Sequence, residues 1–216
     1  VRYRNRIEAG TRLADALEDA GLPGDSGRCL ILGIPRGGVP VAEVVARRLG
    51  CDLDVLIARK IGAPGNPEFA VGAVAEDGTS VVDASIVVRL GISSAYLEAE
   101  TGRQRREAER RARELRKHRP AVPVDGRTCI VVDDGVATGS TLEVALRLVK
   151  NAGPAVLIAA VPVGPPETIR RLERTADAVV CPIQPPDFFA VGAWYDDFAQ
   201  VADDEVARIL DRTGQR

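Results

Sequence analysis

Ile130-Val131-Val132-Asp133-Asp134-Gly135-Val136-Ala137-Thr138-Gly139-Ser140-Thr141 decides how this chain folds. The apolar run from Thr128 to Val132 has the make-up of a short strand covered on both faces of a parallel sheet. An acidic pair closes it, two glycines bracket a short spacer, and Ser140-Thr141-Leu142-Glu143 has the capping-box pattern that opens a helix. Glycines let the backbone fold back so that amide N–H groups converge at the helix N-terminus, where the macrodipole also favours an anion. The two carboxylates would repel that anion, yet as acceptors they suit a pair of vicinal hydroxyls. A phosphorylated sugar satisfies both halves. For Asp133-Asp134-Gly135 alone, a turn before an ordinary capped helix is the bland alternative. The segment lacks the lysine of a G-x-x-x-x-G-K-[ST] loop and no G-x-G-x-x-G follows a strand, which removes nucleoside triphosphatase and dinucleotide readings.

Towards the N-terminus, a helix is expected from near Asn5 to Gly21, with Ile7, Leu13 and Leu17 inward. Cys29 to Ile34 reads as a strand. After the tight Pro35-Arg36-Gly37-Gly38, Pro40 is expected to open a helix that ends at Gly50. A second strand, Leu53 to Ala58, completes a right-handed βαβ unit and carries Arg59-Lys60 at its carboxyl end. Gly62 to Pro67 reads as a loop, and Phe69 to Ala75 with Ser80 to Asp83 as a hairpin around Asp77-Gly78. From Ser93 or Ser94 to about His118 runs one long helix with a thin apolar stripe, Tyr96, Leu97, Ala108, Ala112 and Leu115. Its arginines read chiefly as a solvated face laced with i,i+4 pairs, and its role as a lid or dimer element. Towards the C-terminus, strands at 156–163 and 178–182 alternate with helices at 140–152 and 165–175. The aromatics gather between Pro185 and Phe198, before a terminal helix near Asp203 to Arg212. This alternation predicts an α/β, doubly wound, mostly parallel sheet with its ligands at the strand carboxyl ends.

With 216 residues, 45% hydrophobic and 28% charged, one domain spanning 1–216 is expected. A formal net charge of -2 gives no global attraction to nucleic acid or to an anionic membrane surface, so the expected partner is a small molecule. No apolar run reaches the length of a membrane span, and the first residues lead into an amphipathic pattern instead of a signal peptide. Cys29, Cys51, Cys129 and Cys181 have no C-x-x-C spacing and read as buried thiols in a reducing compartment, with the cytoplasm as default. His118, the only histidine, sits in a basic run, which sets aside Ser-His and Cys-His catalysis.

The full 130–141 segment resembles the phosphoribosyl-pyrophosphate motif of type I phosphoribosyltransferases, and nearly all of the chain follows that family's order. The resemblance implies the type I fold with a flap hairpin at about 61–83, an inserted helical lid at about 93–119 and a hood at about 183–200. It implies transfer of 5-phosphoribosyl from phosphoribosyl pyrophosphate to a nitrogenous base, release of pyrophosphate, a place in nucleotide salvage, and Mg2+ bound with the donor. By that likeness Asp133 and Asp134 hold the ribose hydroxyls, and Gly135, Val136, Ala137, Thr138, Gly139, Ser140 and Thr141 hold the 5-phosphate. Arg36, Gly37 and Gly38, after a Pro35–Arg36 peptide expected to be cis, resemble the pyrophosphate loop, and Arg59-Lys60 a second pyrophosphate contact. Phe189 and Asp196 occupy the base-binding positions of the hood, with Asp196 also by the metal. The flap offers Glu68 or Glu76 as general acid or base. Ala137, and the absence of a lysine from Ala160-Val161-Pro162-Val163, depart from the 6-oxopurine branch and leave the acceptor open, purine-like or other. As a whole the pattern is most similar to bacterial phosphoribosyltransferases with Arg-Lys-Ile/Val-Gly-Ala-Pro-Gly-Asn-Pro-Glu-Phe and Val-Asp-Asp-Gly-Val-Ala-Thr-Gly. Neither nucleic acid nor membrane is an expected partner, and a homodimer is compatible with the long helix. The alternative from another class is a non-catalytic sensor that binds phosphoribosyl pyrophosphate and regulates a partner.

Overall fold

The computed structural model describes residues 2–23, 28–117 and 119–213, so His118 lies outside the described residues. Asn5 caps α1 (Arg6–Asp19) by accepting the N–H groups of Ile7 and Glu8 at 3.1 Å each, an arrangement worth about 1 kcal/mol. β1 (Cys29–Gly33) leads into α2 (Gly38–Leu49), which ends at the left-handed Gly50. The helix starts two residues before the expected Pro40, because a first-turn proline forfeits only an N–H that has no helical partner.

β2 (Asp52–Val55) ends sooner than the expected Ala58. Arg59-Lys60 therefore lie not at its carboxyl end but in β3 (Ala58–Ala63), where the chain leaves the main sheet to pair with β4 (Asn66–Ala75). The expected 62–67 loop is correspondingly only a tight turn at Pro64–Gly65, and β5 (Ser80–Val82) completes a separate antiparallel sheet in the order β3-β4-β5. The hairpin around Asp77-Gly78 is as expected. A short α3 (Ala84–Arg89) was not foreseen; the Asp83 carboxylate caps it by accepting the N–H groups of Ser85 and Ile86.

α4 (Ser94–Arg116) buries Ala108, Ala112 and Leu115 as expected, and continues the stripe upstream with the polar Glu100 and Gln104. β6 (Thr128–Val132), α5 (Ser140–Asn151), β7 (Val156–Ala160), α6 (Pro166–Leu172), β8 (Ala178–Val180) and α7 (Asp203–Thr213) complete the chain. The expected strand at 156–163 and helix at 165–175 are both shorter; past Ala160 the Val161 N–H donates to the Val180 carbonyl and Val163 forms a parallel bridge with Ile183.

The main sheet is parallel throughout, in the order β2-β1-β6-β7-β8. Strand alternation sends Ile31 to the face covered by α1, α2, α4 and α7, and Leu30 and Leu32 to the face covered by α5 and α6. From β1 the chain goes outward to β2 and later returns to lay β6 on the other side of β1, so the strand order reverses between β1 and β6. Such a reversal opens a crevice at the carboxyl ends of the two strands. Gly33 and Val132 are register partners, so the loops after β1 and β6 leave the sheet side by side.

The long helix α4 is anchored at its C-terminal end. The Arg116 guanidinium bonds Asp54 Oδ1 at 2.6 Å, the Val55 carbonyl at 2.8 Å and the Glu76 carboxylate, while Asp54 also accepts the Val122 N–H. Arg111 grips Asp203 at the start of α7 through two bonds of 2.6 and 2.7 Å. No helix among the described residues is long and apolar enough to cross a membrane.

Candidate functional site

At the β1–β6 reversal the acidic pair meets the Pro35-to-Gly38 turn. The Pro35–Arg36 peptide is cis, as expected from the resemblance. The turn packs so closely on the pair that a Cβ on Gly37 would stand 1.9 Å from Asp134 Oδ2, and one on Gly38 2.6 Å from the Val132 carbonyl oxygen. Both positions require glycine for this contact. Gly37, Gly38, Asp133 and Asp134 are thus brought together, while the Arg36 charge acts on Asp203 at the start of α7.

Asp133 and Asp134 are tied to each other and to the N-terminal helix. The Asp134 N–H donates to Asp133 Oδ1 at 2.9 Å. Arg6 donates to Asp134 Oδ2 through Nε at 2.9 Å and through the terminal amine at 2.8 Å, both side chains being nearly buried. Burial pushes the Asp133 carboxyl well above the usual carboxylate range, and the Asp134 charge adds to that effect. Burial also raises Asp134, against the opposing pull of Arg6. Two crowded carboxylates, only Asp134 of which is bonded to a cation, suit a ligand that donates hydroxyl hydrogens into the remaining lone pairs.

Three residues that sequence reasoning missed hold this pair in place. Arg6 lies 4.1 Å over the Phe198 ring and also donates to the Ala199 carbonyl at 2.8 Å. The buried Tyr195 donates its hydroxyl to the Asp134 carbonyl at 2.5 Å. Tyr3 donates to the Pro162 carbonyl at 2.8 Å and stacks at 5.5 Å on Tyr195. Their partners are distant in sequence, 128 positions in the case of Arg6 and Asp134, and the only local signal was aromatics clustering in an irregular segment.

Beyond the pair, the 135–139 loop is braced from α6. Thr168 donates to the Ala137 carbonyl at 2.7 Å, and Arg171 to the Thr138 carbonyl. Gly139, at φ 70°, turns the chain into α5 and is itself the N-cap; a Cβ there would meet Thr168 at 2.6 Å. This corrects the expected capping box. Ser140 is already the first helical residue, and Glu143 bonds Arg147 and Arg171 instead of reaching back. No side-chain hydrogen bond caps α5, whose first turn carries Glu143 and follows the exposed Ala137 and Thr138, so its first amide N–H groups lack a side-chain partner. The structure thus places Gly135 to Thr141 in one loop that leads from the acidic pair into α5, with the Val136 N–H given to the Val163 carbonyl at 2.9 Å.

The other expected residues stand apart from this cluster. Arg59 donates to Gln104 of α4 at 3.1 Å, and Lys60 lies 3.9 Å from the exposed Glu68. Glu76 is bound to Arg116 in the anchor of α4, in a cavity that no residue of the 133–141 loop lines. Phe189 is 95% exposed, and Asp196 faces Arg2 at 3.5 Å. The four cysteines are free thiols, but only Cys29 and Cys129 are fully buried. Among the described residues no group of three His, Cys, Asp or Glu is placed to hold a metal.

Comparison with known proteins bears directly on this cluster. Residues 4–197 match the family described as phosphoribosyl transferase domain. Two Mycobacterium tuberculosis proteins that carry phosphoribosyl transferase in their names are 42% identical over 210 residues, 97% of this chain and 46% of theirs. The chain therefore spans about half the length of the curated relatives it matches. The crystal structure of TT1426 from Thermus thermophilus is similar over 97% of this chain and 98% of that one, with 48% identity and a TM-score of 0.88. The chain belongs to the phosphoribosyl transferase domain family.

Proposed function

We propose that this chain transfers 5-phosphoribosyl from phosphoribosyl pyrophosphate to a ring nitrogen of a base, releasing pyrophosphate. One observation carries the reading: two carboxylates and an uncapped, glycine-started helix N-terminus share one loop at the β1–β6 reversal. Asp133 and Asp134 take the two ribose hydroxyls, and the backbone amides from Ala137 to Thr141 take the 5-phosphate, the Val136 N–H being already given to the Val163 carbonyl at 2.9 Å. Arg36 with the Gly37 and Gly38 amides receives the pyrophosphate, and Lys60 and Arg59 are delivered to it from the flap. As the anomeric C–O bond breaks, negative charge builds on the leaving group, so these cations stabilise the transition state more than the ground state. The anomeric centre becomes cation-like, and the Asp133–Asp134 charge beneath the ribose favours it.

Magnesium fits this site as a partner of the donor's own pyrophosphate oxygens, where it supplies charge neutralisation to the leaving group. The protein's share is to hold the sugar with the acidic pair and to exclude water with the flap. Phe189 gives the hood an open aromatic face on which a planar base can stack, with Asp196 seven residues on as an acceptor for a ring N–H. Glu68, on the exposed tip of the flap, is the acid or base that closure would bring to the acceptor. Incubation with donor, magnesium and a panel of nucleobases and related heterocycles should release pyrophosphate above the Asp133→Asn/Asp134→Asn control. No release with any acceptor would sink the transferase reading.

A further inference from the structure

A pocket of about 370 Å³ opens between β3 and α4, lined by Arg59, Arg103, Gln104, Arg106, Glu107 and Arg110. Four guanidinium groups face it against one carboxylate, and no residue of the 35–38 or 133–141 loops takes part. Three of the four are held by fixed partners. The buried Glu100 grips Arg103 with bonds of 2.8 and 2.6 Å and accepts the Gln104 amide at 2.8 Å. That contact turns the Gln104 carbonyl oxygen onto Arg59 Nε at 3.1 Å. Glu107 takes Arg110 through bonds of 2.9 and 2.7 Å. Arg106 has no carboxylate partner among the described residues. The Glu107 carboxyl is held below its usual range, first by its bonds to Arg110 and further by Arg59, which marks the positive field there.

Each guanidinium carries five N–H donors in a planar fork, so the bonds above leave donors unspent on every arginine of the pocket. An ordinary solvated helix face pairs its charges along one helix; this pocket adds a cation from a second element, Arg59 of the flap, held through a buried glutamine. Glu100 offsets Arg103, and Glu107 and Glu114 offset Arg110, whereas Arg59 and Arg106 face the pocket with no carboxylate of their own among the described residues, a pair of cations that a bound anion would neutralise and whose forks match bidentate phosphate contacts. Four arginines across this volume exceed what a single phosphate can engage.

We propose that this pocket binds a diphosphate or longer phosphate chain, and that the anion, by holding Arg59 on α4, withholds it from the pyrophosphate end of the cleft. The control of transfer rests on the donor-site reading above, whereas the binding does not. The test uses the full chain, arginine modification by phenylglyoxal mapped by mass spectrometry, and inorganic pyrophosphate, tripolyphosphate and ATP as probes at constant ionic strength. Tripolyphosphate should slow modification of Arg103, Arg106 and Arg110 while the exposed Arg113 reacts unchanged. In calorimetry the Arg106→Ala/Arg110→Ala variant should lose about tenfold in tripolyphosphate affinity, as expected for removed charge-assisted contacts, and Arg113→Ala should not. Equal binding of tripolyphosphate and ATP assigns the site to the phosphate chain itself, and tighter ATP binding assigns it to a nucleotide. Modification of Arg106 at an unchanged rate with every probe, or unchanged affinity in the correctly folded double variant, overturns the proposal. Failure of the donor-site reading would show separately, as no pyrophosphate release with any acceptor while protection of Arg106 persists.

Discussion

Replacing Gly37 by alanine puts the packing of the acidic pair to a quantitative test. The new Cβ would stand 1.9 Å from Asp134 Oδ2, so the carboxylate must retreat by about 1.5 Å to reach ordinary contact. Gly37 has φ -64° and ψ -33°, which alanine adopts without strain, so the backbone itself resists nothing. Loss of unfolded-chain freedom even returns about 0.4–1 kcal/mol. Against that, the retreat breaks the Arg6–Asp134 bonds of 2.9 and 2.8 Å, a charge-assisted interaction worth about 1.5–3 kcal/mol. The net loss is about 1–2 kcal/mol, a fall in melting temperature of about 2–8 °C for a domain of this size. Displacing Asp134 should also weaken phosphoribosyl-pyrophosphate binding by about tenfold or more, equivalent to one lost good hydrogen-bond pair. Gly38→Ala should be worse, because its Cβ meets the Val132 carbonyl at 2.6 Å and the Asp133 Cα at 2.9 Å, backbone atoms that cannot rotate aside. Urea unfolding and calorimetric donor titration measure both effects. A Gly37→Ala protein with wild-type stability and wild-type donor affinity would refute the reasoning.

Asp133→Asn keeps the acceptor for the Asp134 N–H but removes a charge whose protonation the fold favours. A carboxyl raised in the folded state contributes stability that is present below its unfolded value and lost as pH rises through the folded one. The substitution should therefore raise the unfolding free energy measured in urea at pH 8 by about 0.5–2 kcal/mol, with the gain fading towards pH 4, while donor binding is lost; an equal effect at both pH values counts against it. Thr168→Val leaves the Ala137 carbonyl without its 2.7 Å donor, and should cost about 1 kcal/mol in stability and weaken donor affinity more than acceptor affinity, read by paired titrations. Arg116→Ala strands the buried Asp54 and the nearly buried Glu76, and should destabilise the fold by about 3–5 kcal/mol in thermal melts. A loss below about 1 kcal/mol would mean that α4 does not depend on that anchor.

The main sheet was legible because its strands are short continuous apolar runs and its turns carry glycine, so Cys29 to Gly33, Thr128 to Val132 and the loops after them could be placed from local pattern alone. The glycine-bearing loop from Gly135 into α5 was legible for the same reason, although Gly139 and not Ser140 caps the helix. What the sequence hid were contacts closed by the fold. Arg6 reads as one more charge at a helix start, and nothing near it in sequence shows that it reaches Asp134. Arg59-Lys60 looked like a strand end because Ala58 continues an apolar run, yet pairing with Ala75 draws the chain into the flap sheet instead. The arginines of α4 illustrate both outcomes: Arg105 with Glu109 and Arg110 with Glu114 are the helical pairs that spacing predicts. Arg111 and Arg116 find Asp203, Asp54 and Glu76 on other elements, which spacing cannot foresee.

A crystal structure of the chain with phosphoribosyl pyrophosphate and magnesium tests the central claim most directly. The expected result places the ribose hydroxyls against Asp133 and Asp134 and the 5-phosphate against the amides of residues 138–141. A donor bound with its phosphate away from the α5 N-terminus, or with its hydroxyls turned from the acidic pair, would contradict it.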